Sequence, residues 1–141
     1  MSDAYDPGNI FAKILRGEIP RHEIFEDDVA LALMDVMPQS KGHCLVIPKA
    51  PSRNLLDAED ETLSLLMPRV ARLARAAHKA FAADGVVVSQ FNEAPAGQTI
   101  FHLHFHVIPR YEGVALVPHS GGMADAGMLA EQAALIRAAL D

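Results

Sequence analysis

Apolar residues recur at intervals of three and four in some stretches of the chain and alternate with polar ones or run together in others, and each pattern predicts an element. Ile10, Phe11, Ile14 and Leu15 follow Asn9, a good N-cap, and stop at Gly17, which predicts a short first helix. Past Pro20, the stretches Ile24 to Phe25 and Val29 to Asp35, apolar up to Met34, flank the polar run Glu26, Asp27, Asp28, the pattern of a hairpin. Residues 37–42 read as a loop, and 43–47 as a strand that stops at Pro48. Leu63, Leu66, Val70, Leu73, Ala77 and Phe81 then trace one face of a long helix, opened by Asp57 and closed by Asp84 and Gly85. Acids crowd its start and Arg69, Arg72, Arg75 and Lys79 its second half, as the helix dipole favours. Pro68 inside it predicts a bend or an early one-turn break. Residues 86–91 and 100–109 read as strands, and 125–140 as a final helix after a glycine-rich connection at Gly121 and Gly122. This order lacks the regular alternation that demands a parallel sheet. It predicts an α+β fold: a mainly antiparallel sheet with a short N-terminal helix, one long helix and a C-terminal helix, in a single domain over residues 1–141.

Composition narrows the function. Twelve Lys and Arg against eighteen Asp and Glu leave a formal charge of −6, so no broad positive field exists to bind nucleic acid. An anionic ligand must be held by local groups. The one cysteine, Cys44, can form neither an internal disulfide nor a cysteine-based zinc cluster, which points to a reducing, cytoplasmic setting. Residues 1–7 lack a basic start and an apolar core, and no apolar run approaches the roughly 18 residues of a membrane span. The sequence therefore reads as unprocessed and not membrane-spanning.

The seven histidines change the picture, because His102, His104 and His106 alternate with Leu103, Phe105 and Val107. An extended strand sends alternate side chains to opposite faces, so the three imidazoles share one face while the apolar residues face the core. Two chemistries fit such a row. Neutral imidazoles can ligate a transition metal, or one of them can attack phosphorus while its neighbours manage protons and charge. Just upstream, residues 92–99 form a small-residue loop suited to a phosphate: Gly97 lets backbone N–H groups approach an oxyanion, and Gln98 and Thr99 add side-chain donors. A metal site would pair the histidines with acids or cysteine, and Glu93 and Glu112 are not obviously on their face.

On these residues the sequence resembles the histidine triad family of nucleotide hydrolases and transferases, in particular its nucleoside phosphoramidase-like bacterial branch. The match takes in Ile10, Phe11, Lys13 and Ile14, then Gly17 to Pro20, Glu26 to Asp28, Asp35, Pro38, Gln39, residues 42–49, Gly97 to Thr99 and the triad itself. The resemblance implies that His104 is the nucleophile of a covalent nucleotidyl intermediate, with His106 beside it as phosphate partner and His102 and His43 in support. It implies that Asp35 accepts the ribose hydroxyls, that Ile10, Phe11, Ile14, Leu33 and Val36 line the base pocket, and that Asn92, Gly97, Gln98 and Thr99 hold the phosphate side. Hydrolysis of nucleoside phosphoramidates and other AMP-linked compounds is the activity it implies. A diadenosine polyphosphate hydrolase and a non-catalytic purine nucleotide-binding adaptor remain the alternatives.

Many members of that family carry a structural zinc on a Cys-x-x-Cys pair, a later histidine and a triad histidine. Here those positions hold Asn9, Ala12 and Pro51, so no structural zinc and no other cofactor is expected. Cys44 reads as an inert buried thiol, and His22, His78 and His119 as surface residues without partners. The resemblance also implies a homodimer joined through the long helix and one strand of each subunit.

Overall fold

A computed structural model describes residues 4–119 and 122–141. Met1, Ser2, Asp3 and Gly121, which the sequence reading includes, lie outside the described residues. Helix α1 (Ile10–Leu15) starts where its cap predicts: the Asn9 side chain accepts the Ala12 N–H at 2.9 Å, and Gly17, at φ +80°, turns the chain away after it. Strands β1 (Glu23–Glu26) and β2 (Ala30–Met34) form the expected hairpin, and Asp27 pins its turn by accepting the N–H groups of Val29 and Ala30. β3 (Cys44–Pro48), the long helix α2 (Asp60–Ala80), β4 (Gly85–Ser89), β5 (Phe105–Arg110) and α3 (Ala126–Ala138) follow. The strands make one antiparallel sheet in the order β1-β2-β3-β5-β4, an α+β architecture.

Alternation decides which side of the sheet each residue serves. Met34, Cys44, Val46, Leu103, Phe105 and Val107 pack against α2 and α3 in the main core. Their neighbours Leu31, Leu33, Leu45 and Ile47 turn the other way and pack with Phe11 and Ile14 of α1. The histidines lie on this second side, between α1 and the loop after β4.

Three expectations need correction. Asp57 does not cap α2, which is preceded by Glu59; its carboxylate instead accepts the N–H groups of Arg53 and Asn54 and closes the turn before the helix. Pro68 does not break α2, which runs through it without interruption. Pro68 and Ser64, whose carbonyl loses its helical donor to the ring, are both exposed, so water can take the vacancy. Finally, β5 begins at Phe105 and not at residue 100, because the pairing with β3 ends at Val46 opposite Phe105. Upstream of it the Leu103 N–H bonds the Ser52 carbonyl at 2.9 Å, and His102 and His104 lie outside the sheet. No helix among the described residues is long and apolar enough to cross a membrane.

Candidate active site

The hydrogen-bond partners of the buried histidines assign nearly every ring proton. His104 Nδ1 lies 2.6 Å from the His102 carbonyl oxygen, which can only accept, so Nδ1 carries the proton and Nε2 keeps its lone pair. His43 Nδ1 accepts the Gln39 N–H at 3.0 Å, which puts the His43 proton on Nε2. That Nε2–H faces His106 Nδ1 at 3.0 Å, so His106 accepts there and carries its own proton on Nε2. His102 donates from Nε2 to the Pro48 carbonyl at 2.8 Å, and its Nδ1 accepts the Tyr5 hydroxyl at 2.6 Å. The result is an acceptor nitrogen on His104 beside a donor nitrogen on His106, in rings whose centres are 5.0 Å apart. Phe11 fixes the far side of His104 by an edge contact at 4.9 Å.

Burial makes these rings neutral. It pushes His43 and His102 down to about 4 and His106 down to about 3, and it lowers His104 as well. The Asp35 carboxylate, whose Oδ2 is 3.4 Å from His43 Nε2, opposes the shift of His43 but does not overcome the desolvation. The same burial raises the Cys44 thiol, which stays protonated and inert in the sheet.

The rings open into a pocket of about 270 Å³ lined by Phe11, Asp35, Leu45, Phe91, Gly97, Thr99, Ile100, His104 and His106, together with Gln39 and His119. No lysine or arginine is among them. A larger groove of about 930 Å³, between residues 38–41, residues 111–117 and α3, holds none of the histidines. One rim of the histidine pocket is the loop after β4, where Gly97 takes φ +105°, a conformation that favours glycine. Glu93 also has a positive φ, +74°, and is held there by Arg53, Asn54 and Gln98.

Of the residues singled out in the sequence, Phe11, Asp35, Gly97, Thr99, His104 and His106 meet in this pocket, with His102 and His43 behind the triad. The others lie elsewhere. Ile14 and Leu33 are buried in the core under α1, Ile10 is half exposed, and the carbonyl of the exposed Val36 accepts the Ala124 N–H. The Gln98 amide is turned inward, its NH₂ group donating to the Arg53 and Ile100 carbonyls, so it shapes the loop and has no donor left for a phosphate. Asn92 is spent on Leu55 and Gln90.

His119 is the residue that sequence reasoning missed. Expected on the surface without a partner, it instead donates from Nε2 to Asp35 Oδ2 at 2.8 Å and packs its ring against those of His43 and His106. No spacing marks it, since 84 residues separate it from Asp35.

Asp35, His43 and His106 could offer a metal ion three atoms within 4.8 Å of one another. Their hydrogen bonds do not suit one, because the Gln39 N–H on His43 Nδ1 leaves the ring proton on Nε2, the atom that would have to ligate. A structural zinc fits no better: Asn9 spends its side-chain oxygen on the Ala12 N–H, Ala12 and Pro51 have no donor atom, and both His102 nitrogens are taken.

Comparison with known proteins agrees with this geometry. Residues 16–113 match the model of the HIT domain. The crystal structure of a Hit-like protein from Bartonella henselae superposes with a TM-score of 0.93 at 55% identity, covering 97% of this chain and 99% of that one. The adenosine 5'-monophosphoramidase of Saccharomyces cerevisiae is 40% identical over 105 residues, 74% of this chain and 64% of that protein. The adenylylsulfatase of Arabidopsis thaliana is 39% identical over 103 residues, 73% of this chain and 52% of that protein.

Proposed function

The chain belongs to the HIT domain family, and we propose that it hydrolyses nucleoside monophosphate derivatives, phosphoramidates and other AMP-linked compounds among them, through a nucleotidyl intermediate on His104. The observation that carries this reading is the His104 Nδ1 contact with the His102 carbonyl at 2.6 Å. It leaves Nε2 an unprotonated nucleophile at neutral pH.

In the first step the Nε2 lone pair forms a bond to phosphorus and the bond to the leaving group breaks. The leaving amine takes a proton from water at the pocket mouth. In the second step water attacks phosphorus, the P–N bond to His104 breaks, and the released proton balances the one consumed. The nucleoside monophosphate departs and His104 returns to its neutral form. His106 Nε2–H donates to a phosphoryl oxygen throughout, most strongly as charge builds in the transition state. Asp35 receives the ribose hydroxyls, and Phe11, Leu45 and Ile100 give the base an apolar wall. Every step uses protein groups and water, so the reaction runs without a metal.

The relatives named for phosphoramidase and adenylylsulfatase activity support this substrate class. We also infer a homodimer built on β4. That strand ends the sheet, no strand among the described residues pairs with its outer edge, and Val87 and Val88 stay substantially exposed on it.

The test is intact-protein mass spectrometry after rapid quench with adenosine 5'-phosphoramidate, in the presence of a chelator. An adenylyl mass gain in the wild type, absent from His104→Ala, is expected. Product without an adduct, or turnover that returns only with added metal, would overturn the reading.

A further inference from the structure

We propose that His119 stands in for the substrate's ribose: it holds Asp35 while the pocket is empty and yields that carboxylate when a ribonucleotide enters. This rests on the reading of the pocket as a nucleotide site. It adds a residue beyond the matched family region, which ends at residue 113.

The two oxygens of Asp35 have different partners. Oδ1 accepts the Met37 N–H at 2.8 Å and belongs to the loop. Oδ2 is the oxygen beside the histidines, 3.4 Å from His43 Nε2 and 3.9 Å from His106 Nδ1, and His119 Nε2–H occupies it at 2.8 Å. A ribose diol is also a pair of O–H donors seeking a carboxylate. It and His119 therefore compete for the same lone pairs.

The segment that delivers His119 is built to let go. None of residues 111–119 is buried. Its start is anchored by the Tyr111 hydroxyl on the Lys41 carbonyl at 2.8 Å and the Glu112 N–H on Asp84 at 2.7 Å. Nearer His119 it is tied to the β2–β3 loop only by the Val117 N–H on the Gln39 carbonyl at 3.0 Å and by a longer bond from Gln39 Nε2 to the Val117 carbonyl at 3.4 Å. The groove of about 930 Å³ between this segment and α3 leaves Val114 and Val117 without close packing beneath them. A segment with so few buried contacts lies at the low end of local stability, so displacing it costs little.

The competition is specific to the diol. A ligand lacking both hydroxyls does not contest Asp35 Oδ2 and can bind with His119 in place. His119 thus reduces apparent affinity only for ligands that need Asp35, by the fraction of molecules in which the carboxylate is free.

The experiment is calorimetric titration of wild type and His119→Ala with AMP and with 2',3'-dideoxy-AMP. Removing one exchangeable hydrogen bond to a carboxylate should tighten AMP about three- to tenfold, with dideoxy-AMP unchanged. AMP binding that is unchanged or weaker in the variant would overturn the proposal, as would equal tightening of both ligands, which would mean steric blocking. Failure of the wild type to bind either ligand would overturn the nucleotide reading itself and this inference with it. A second measurement needs no variant. In ¹⁵N spectra of the wild-type histidine rings, the His119 Nε2 signal should move to that of a solvated imidazole on saturation with AMP, and a signal that stays put would also sink the idea.

Discussion

Gln98 Oε1 accepts the Glu93 backbone N–H at 2.7 Å, and through that bond a buried amide holds a residue with positive φ in the loop that borders the histidine pocket. The same oxygen accepts from Asn54 Nδ2 at 3.0 Å, while the Gln98 NH₂ group reaches two carbonyls. Gln98→Leu keeps the volume but leaves several buried polar groups unpaired. The expected cost is about 2–4 kcal/mol of stability, read by denaturant unfolding, with a fall in kcat/KM as Gly97 and Thr99 lose their placement.

Tyr5→Phe deletes only a hydroxyl. His102 Nδ1 would then be a buried acceptor without a donor, at a cost of about 1–2 kcal/mol in thermal unfolding. His104 is tied to the His102 carbonyl, so kcat should fall while KM stays, by less than about tenfold as an indirect effect. A change in KM alone would mean that Tyr5 touches substrate instead.

Acid should act on stability before it acts on His104, the proposed nucleophile. The folded-state values of His43, His102 and His106 lie at about 4, 4 and 3, below the ordinary 6.5 that the unfolded chain retains. Between these limits the unfolded state binds more protons, so stability is full above pH 6.5 and declines as pH falls toward 4. Urea midpoints measured across this range should drop steadily. Burial lowers His104 too, so kcat/KM should hold below pH 6.5, where a solvent-exposed histidine would already be half protonated.

Gly42→Ala tests the turn that delivers His43. At φ +89° a Cβ would lie 2.6 Å from Phe81 ring carbons and 3.2 Å from Pro109. Backbone strain and overlap together should cost about 2–4 kcal/mol, measured by thermal unfolding. Activity should fall as well, because Gly42 immediately precedes the histidine that sets the His106 tautomer.

What could be read in the sequence was local. Asn9 caps its helix through its side-chain oxygen, and the polar run at residues 26–28 makes its turn, because these depend on a few neighbouring atoms. The alternation of His102, His104 and His106 with core residues placed the triad on one side although only His106 belongs to a strand. Distance along the chain hid most of the rest. That Gln98 faces inward and that His119 reaches Asp35 both depend on where remote segments land, while Asp57 serves the preceding turn through neighbours three and four residues away, a local choice that helical periodicity does not register. Hydropathy patterns carry no such information.

The lining of the pocket has a consequence for how it should respond to its solvent. On the function proposed above, it would hold phosphate through neutral imidazoles and the loop at Gly97 and Thr99, with no lysine or arginine among the described residues of its wall. Dipoles at contact distance release no counterions and feel little ionic screening. Raising salt from dilute buffer to several hundred millimolar should therefore leave KM nearly flat, which sets this site apart from phosphate pockets that rely on formal positive charge.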